Sequence, residues 1–198
     1  MGVFEMSNIK LRWLLFLLCI SLDLCVINNG IAVSFGDGDK DARLVEQNCL
    51  FELTAPRGWS WDKHSSNILS TTVFFRRTKN KTEDNLNISV STIDWPNGIP
   101  TSTDSVVDNQ NQLMKAKDST VSMKQLKSIQ LEEGKEAIVR TFISSKGYYA
   151  IAYLACEKGV VKFNLFSKRK KSFEESIKAL IELVKSYEKI DKSVIIRD

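Results

Sequence analysis

Histidine is almost absent from this chain: His64 is the only one among 198 residues. That scarcity excludes multi-histidine metal sites and leaves any proton relay through imidazole resting on a single side chain. His64 stands in the polar turn "WDKHSSN". Ser65 and Ser66 beside it do not complete a triad, because adjacent turn residues seldom set nucleophile against base. It reads as a solvated loop residue. Gly-x-Ser-x-Gly, a phosphate-cradling glycine loop and zinc-ligand spacings are all missing. A strong charge bias is missing too. The net charge of +4 comes with no basic groove interleaved with stacking aromatics, so nucleic acid is not an expected partner. No repeat or low-complexity segment occurs.

What is present begins at the N-terminus. Lys10 and Arg12 precede the apolar run "WLLFLLCISLDLCVI", and small residues follow in "NNGIAVSF". This is the order of a secretory signal peptide, expected over residues 1–34 with cleavage near Ser34, or alternatively after Ala32. Met6 is an alternative start. A membrane anchor calls for about 20 apolar residues, and this run is shorter and interrupted by Asp23. A lipoprotein calls for a small residue before its cysteine, where Leu18 and Leu24 stand. Export to the periplasm or beyond is the reading.

Of four cysteines, Cys19 and Cys25 leave with such a signal. Cys49 and Cys156 then form an isolated pair, the usual sign of one disulfide in an oxidising compartment. Two separate buried thiols are the alternative.

Residues 35–47, including "GDGDKDARLVEQ", read as a flexible or weakly helical linker, residues 48–190 as one domain and 191–198 as a tail. Strands are expected at 50–54, 68–77 and 86–94. "WPNGIP" breaks the sheet. Thr103 and Asp104 offer caps for a helix to about residue 116. A meander follows over 121–131, 135–144, 148–156 and 160–167, with glycine in each turn. Ser172 and Glu175 suggest a capping box for a long final helix, with Phe173, Ile177, Leu180, Ile181, Val184 and Tyr187 along one face. The fold class is α+β: a mostly antiparallel sheet of about seven strands covered by helices.

"FELTAPRGWSW" is similar to the opening strand and Pro-x-Gly-Trp turn of PsbP-like α/β/α sandwich proteins. "YYAIAYLACEKGVVKFNLFS" running into "SFEESIKALIELVKSY" resembles their closing hairpin and helix. That group includes the extrinsic photosystem subunit PsbP, the Ran-binding Mog family and bacterial envelope proteins of the DcrB kind. The resemblance spans about residues 48–190. It implies this fold, an exported location and a non-enzymatic role, and it names no partner.

The remaining candidates are few. "DGDKDA" starts like a calcium loop, but Ala42 stands where glycine is needed and Asn48 where a bidentate glutamate belongs. The pairs Glu132–Glu133 and Glu174–Glu175 fit a turn and a helix cap. Lys168, Arg169, Lys170 and Lys171 precede the last helix, whose free N–H groups favour anions. They mark a place for an acidic protein patch or lipid head groups, against the plainer reading of a solvated turn. Trp59 and Trp61 flank Ser60 and are read as facing opposite sides, leaving one, taken as Trp61, exposed for contact. Asn80 and Asn87 match a glycosylation pattern. No cofactor is called for. The functional expectation is an exported, non-enzymatic binding or accessory protein of the cell envelope with an unidentified protein partner. An immunity-type protein that neutralises a toxin, and a hydrolase with a site assembled from loops, are the alternatives.

Overall fold

The computed structural model of the chain describes residues 41–45, 49–62, 72–78, 86–95 and 99–190. In chain order the elements are β1 (Asp41–Val45), β2 (Leu50–Thr54), β3 (Trp59–Trp61), β4 (Thr72–Arg77) and β5 (Asn87–Asp94). Helix α1 (Thr103–Lys117) follows, then β6 (Ser122–Gln125), β7 (Ile129–Gln130), β8 (Glu136–Ser144), β9 (Gly147–Cys156) and β10 (Gly159–Ser167). Helix α2 (Lys170–Lys185) and β11 (Glu188–Lys189) close the described chain.

The long hairpin strands β8, β9 and β10 are rich in valine, isoleucine and aromatics, which suit a pleated, half-buried surface. They form the middle of an antiparallel sheet ordered β3-β4-β5-β10-β9-β8-β6, with β7 also on β8. Period-two alternation then sorts side chains between two faces. One face collects Val73 and Phe75, Ile88 and Val90, Val139, Ala150, Ala152 and Leu154, and Val161, Phe163 and Leu165. Helix α2 lies on it through Phe173, Ala179, Leu180, Leu183 and Val184. Leu183 and Val184 are fully buried, and burying a side chain of this size stabilises the fold by about 1.5–3 kcal/mol. The opposite face packs a smaller cluster, Trp95, Phe142, Ile151, Tyr153 and Val160, against Val106 and Val107 of α1. Helices thus cover both faces.

A second sheet, β1-β2-β11, joins the α2 side, where Phe51 and Leu53 enter the larger core. Its attachment is specific. Ser186 Oγ accepts from Thr54 N at 3.1 Å and donates to Leu183 O, and the rings of Phe51 and Tyr187 sit 5.3 Å apart. Arg77 reaches from β4 to α2, meeting Glu175 at 3.7 Å and donating to Ser176 Oγ at 3.1 Å.

Several expectations are corrected. Residues 41–45 of the supposed linker form β1, paired with β2 from Asp41↔Thr54 to Val45↔Leu50. The strand expected at 121–131 splits into β6 and β7. Between the pairs Gln125↔Arg140 and Ile129↔Ala137, three residues stand opposite two, a bulge that interrupts the ladder. Ser102, not Thr103 or Asp104, caps α1, its hydroxyl accepting from Ser105 N at 3.2 Å. The expected capping box at Ser172 does not form: α2 begins at Lys170 behind Arg169, and Glu175 turns to Arg77. The helix therefore starts three residues earlier, and its buried stripe runs through Ser176, Ala179 and Leu183, with Ile177 and Ile181 half-buried at its edge. His64, Asn80 and residues 1–34 lie outside the described residues.

Candidate functional site

Two turns meet at one end of the large sheet. The first joins β8 to β9 at residues 144–147, and the second joins β10 to α2 at residues 167–170. Their approach depends on Gly147. At its φ of +144° an L side chain is strained, and a Cβ there would lie 2.6 Å from Ser167 O and 3.3 Å from Lys168 Cα. Ser167, fully buried, folds the second turn by accepting from Arg169 N at 3.1 Å and donating to Arg169 O at 3.0 Å. The first turn is tied from the other side. Asp118, just after α1, accepts from Ser145 N at 3.3 Å and from Ser145 Oγ at 2.9 Å. Hydrogen bonds from the Thr120 hydroxyl and amide, then from Ser145, hold the Asp118 carboxyl down at about 2.

This geometry gathers Lys146, Lys168, Arg169, Lys170 and Lys171, all exposed. Around the turns lies an open depression of about 670 Å³ lined by Ser144, Ser145, Lys146, Gly147, Tyr148, Tyr149, Phe166 and Lys168, with Tyr148 on the α2 face of β9 and Tyr149 on the α1 face. Tyr149 and Phe166 face each other across the β9–β10 ladder with ring centroids 4.8 Å apart, and Tyr148 packs on Phe173 of α2 at 5.8 Å. The first turn of α2 contains no acidic residue, and its N-cap makes no side-chain hydrogen bond to the helix. Glu174 meets Lys170 at 3.8 Å, a solvent-exposed contact that offsets little of the positive charge. The surface carries exposed positive charge beside the Tyr149–Phe166 ring pair.

Of the residues singled out in the sequence, Lys168 comes beside Lys146, Tyr149 and Phe166, which the sequence reading passed over, while Arg169, Lys170 and Lys171 continue from it into α2. The signal was there in the glycine turns "SKG" and "EKG", because fixing both hairpins sets Phe166 opposite Tyr149. Trp61 is not exposed. Residues two apart on a strand share a face, so Trp59 and Trp61 both point into the core, each 6% exposed. Trp61 therefore leaves the contact surface. Cys49 and Cys156 form the disulfide, with Cα atoms 6.0 Å apart and a sequence separation of 107. It joins the chain just before β2 to the end of β9, stapling the small sheet to the large one. Among the described residues no group of three or more His, Cys, Asp or Glu side chains is placed to hold a metal ion, and no helix is long and apolar enough to cross a membrane.

An antiparallel sheet with a helix on each face, ending in a hairpin that runs into a long helix, is the PsbP-like α/β/α architecture. Among solved structures the fold is similar to the solution structure of cyanobacterial PsbP (CyanoP) from Synechocystis sp. PCC 6803. The TM-score is 0.50 at 14% identity, covering 80% of this chain and 98% of that one. No protein-family model matches the sequence, and no curated protein matches it.

Proposed function

We propose that this chain is an exported, non-enzymatic binding protein of the cell envelope, and that it holds an acidic face of a protein partner on its basic end. The observation that carries the reading is the run of exposed cations Lys168–Lys171, whose first member joins Lys146 at the edge of the depression beside Tyr149 and Phe166. Exposed charges steer encounter and select complementary partners, while the flanking rings supply apolar contact area. Export draws support from the N-terminal charged, apolar, small-residue order. The Cys49–Cys156 disulfide adds to it, since such bonds persist in oxidising compartments. A binding role, rather than catalysis, fits a chain with a single histidine and a basic depression lined by no acid–base pair.

The test is an affinity capture from the envelope fraction of the native host, run in parallel with the wild-type chain and with a Lys168→Glu/Lys170→Glu/Lys171→Glu variant. A stoichiometric protein that binds the wild type, weakens with rising salt and is lost from the variant supports the reading. A partner held equally by both chains moves the contact elsewhere. Binding to anionic vesicles in place of any protein replaces a protein partner with lipid head groups.

A further inference from the structure

The sheet face under α1 carries a charge that no described carboxylate balances. Arg140 on β8 is 9% exposed, and the hydrogen bond it makes goes from Nη1 to its neighbour's carbonyl, Val139 O, at 3.3 Å. No carboxylate pairs with it among the described residues. Arg140 pairs with Ile151 on β9, which makes Tyr153 its diagonal neighbour, and Tyr153 stands directly opposite Lys162 on β10. Side chains directly opposite in such a ladder start about 5 Å apart and diagonal ones about 7–8 Å, within reach of two long basic stems and a phenol. Tyr153 is fully buried and its hydroxyl has no partner. Asn111, on the buried stripe of α1 one turn after Val107, is 7% exposed with Oδ1 likewise unpartnered.

The surroundings deepen the imbalance. Lys162 is half-buried, and burial, then the nearby charge of Lys117, lowers its ammonium from the usual lysine range. Burial raises the Tyr153 phenol, so it stands here as an O–H donor. The acidic residues of α1 and β8, Asp104, Asp108 and Glu136, are all exposed. A guanidinium cannot shed its charge, so burying it without a counter-charge is costly. Water satisfies a lone hydroxyl or amide oxygen but neutralises nothing.

We propose that Arg140, Lys162 and Tyr153 form a buried site beneath α1 for a small oxyanion that carries an O–H, of the hydrogen phosphate or hydroxycarboxylate kind. The planar fork of Arg140 matches two oxygens of such an ion, Tyr153 and Lys162 donate to the others, and Asn111 Oδ1 accepts the ligand's own O–H. The site is separate from the basic end and does not depend on its role.

The experiment is thermal unfolding of the full chain against sodium phosphate, sulfate and lactate, with ionic strength held constant by sodium chloride. A ligand bound only by the folded state raises the midpoint along a saturating curve. Phosphate or lactate should do so in the wild type. The apparent Kd should weaken at least tenfold in Arg140→Met and Lys162→Met and severalfold in Tyr153→Phe. The isosteric Tyr153→Phe and the half-buried Lys162→Met carry the test should Arg140→Met fail to fold. No saturable shift with phosphate or lactate, or one no larger than sulfate gives, overturns the proposal. So does an equal shift in the variants, or a shift lost when residues 168, 170 and 171 are reversed in charge instead.

Discussion

Replacing both bridging cysteines, Cys49→Ala/Cys156→Ala, removes a single covalent link across 107 positions, and its cost follows from that separation. In the chain-entropy model, cross-linking a loop of this size withdraws about 4.7 kcal/mol of conformational freedom from the unfolded ensemble. Alanine suits the test at Cys49, which is 4% exposed in the core, because serine would bury an unpaired hydroxyl there and inflate the loss. The assay is equilibrium unfolding in urea, wild type against variant, with reductant left out. The expected loss is about 4–5 kcal/mol, with a midpoint temperature lower by roughly 10–20 °C for a domain of this size. The urea dependence should steepen, since an uncrosslinked unfolded chain exposes more surface. Either single replacement should cost nearly as much as the double one, because two thiols make one bond. A loss below about 1 kcal/mol with an unchanged urea dependence would refute the reasoning. It would mean that the bond is absent, or that the unfolded chain is already closed there by other contacts.

Two further outcomes follow from the turns. Gly147→Ala should destabilise by more than about 1 kcal/mol in urea, because φ is positive and the new methyl meets the backbone of Ser167 and Lys168. Gly134→Ala should cost less, since its φ of +71° opens onto empty space. Asp118 bears on pH. Its carboxyl is held at about 2, below the ordinary 3.8, so its contribution is complete above about pH 4 and is lost as pH falls through 2. Asp118→Asn should therefore lower stability at neutral pH and flatten the acid limb of the pH–stability curve between pH 4 and 2. An acid limb identical to that of the wild type would rule out the hydrogen-bonded carboxylate.

The α+β order was legible because its signals are local. Alternating residues in β8, β9 and β10, glycine in their turns and the apolar stripe of α2 each lie within a dozen or so neighbouring positions. What escaped depends on partners remote in sequence. Residues 41–45 lack a clear alternation and become a strand because β2 offers them an edge. The start of α2 was misplaced because Ser172 and Glu175 match a capping box by spacing, while the choice of Glu175 is decided by Arg77, almost a hundred positions away. The tryptophan reading failed on geometry alone. Strand period is two, and Trp59 and Trp61 share a face whatever surrounds them.

The two candidate sites differ in legibility for the same reason. Four of the cations at the basic end are consecutive, so they stand out before any folding is considered. Arg140, Tyr153 and Lys162 sit on three strands and meet only once the β8–β9–β10 register is set. One trace was nonetheless present. In "EAIVRTFIS", Arg140 is flanked two positions away on either side by Ile138 and Phe142, so a strand places its charge on the same face as two large apolar side chains. Strands with one solvated face put charge opposite the apolar set. A charge on the apolar side is a local rule broken, and natural chains keep such breaks where something compensates them. Within the described residues no carboxylate does so for Arg140. An oxyanion under α1, as proposed above, would supply that compensation.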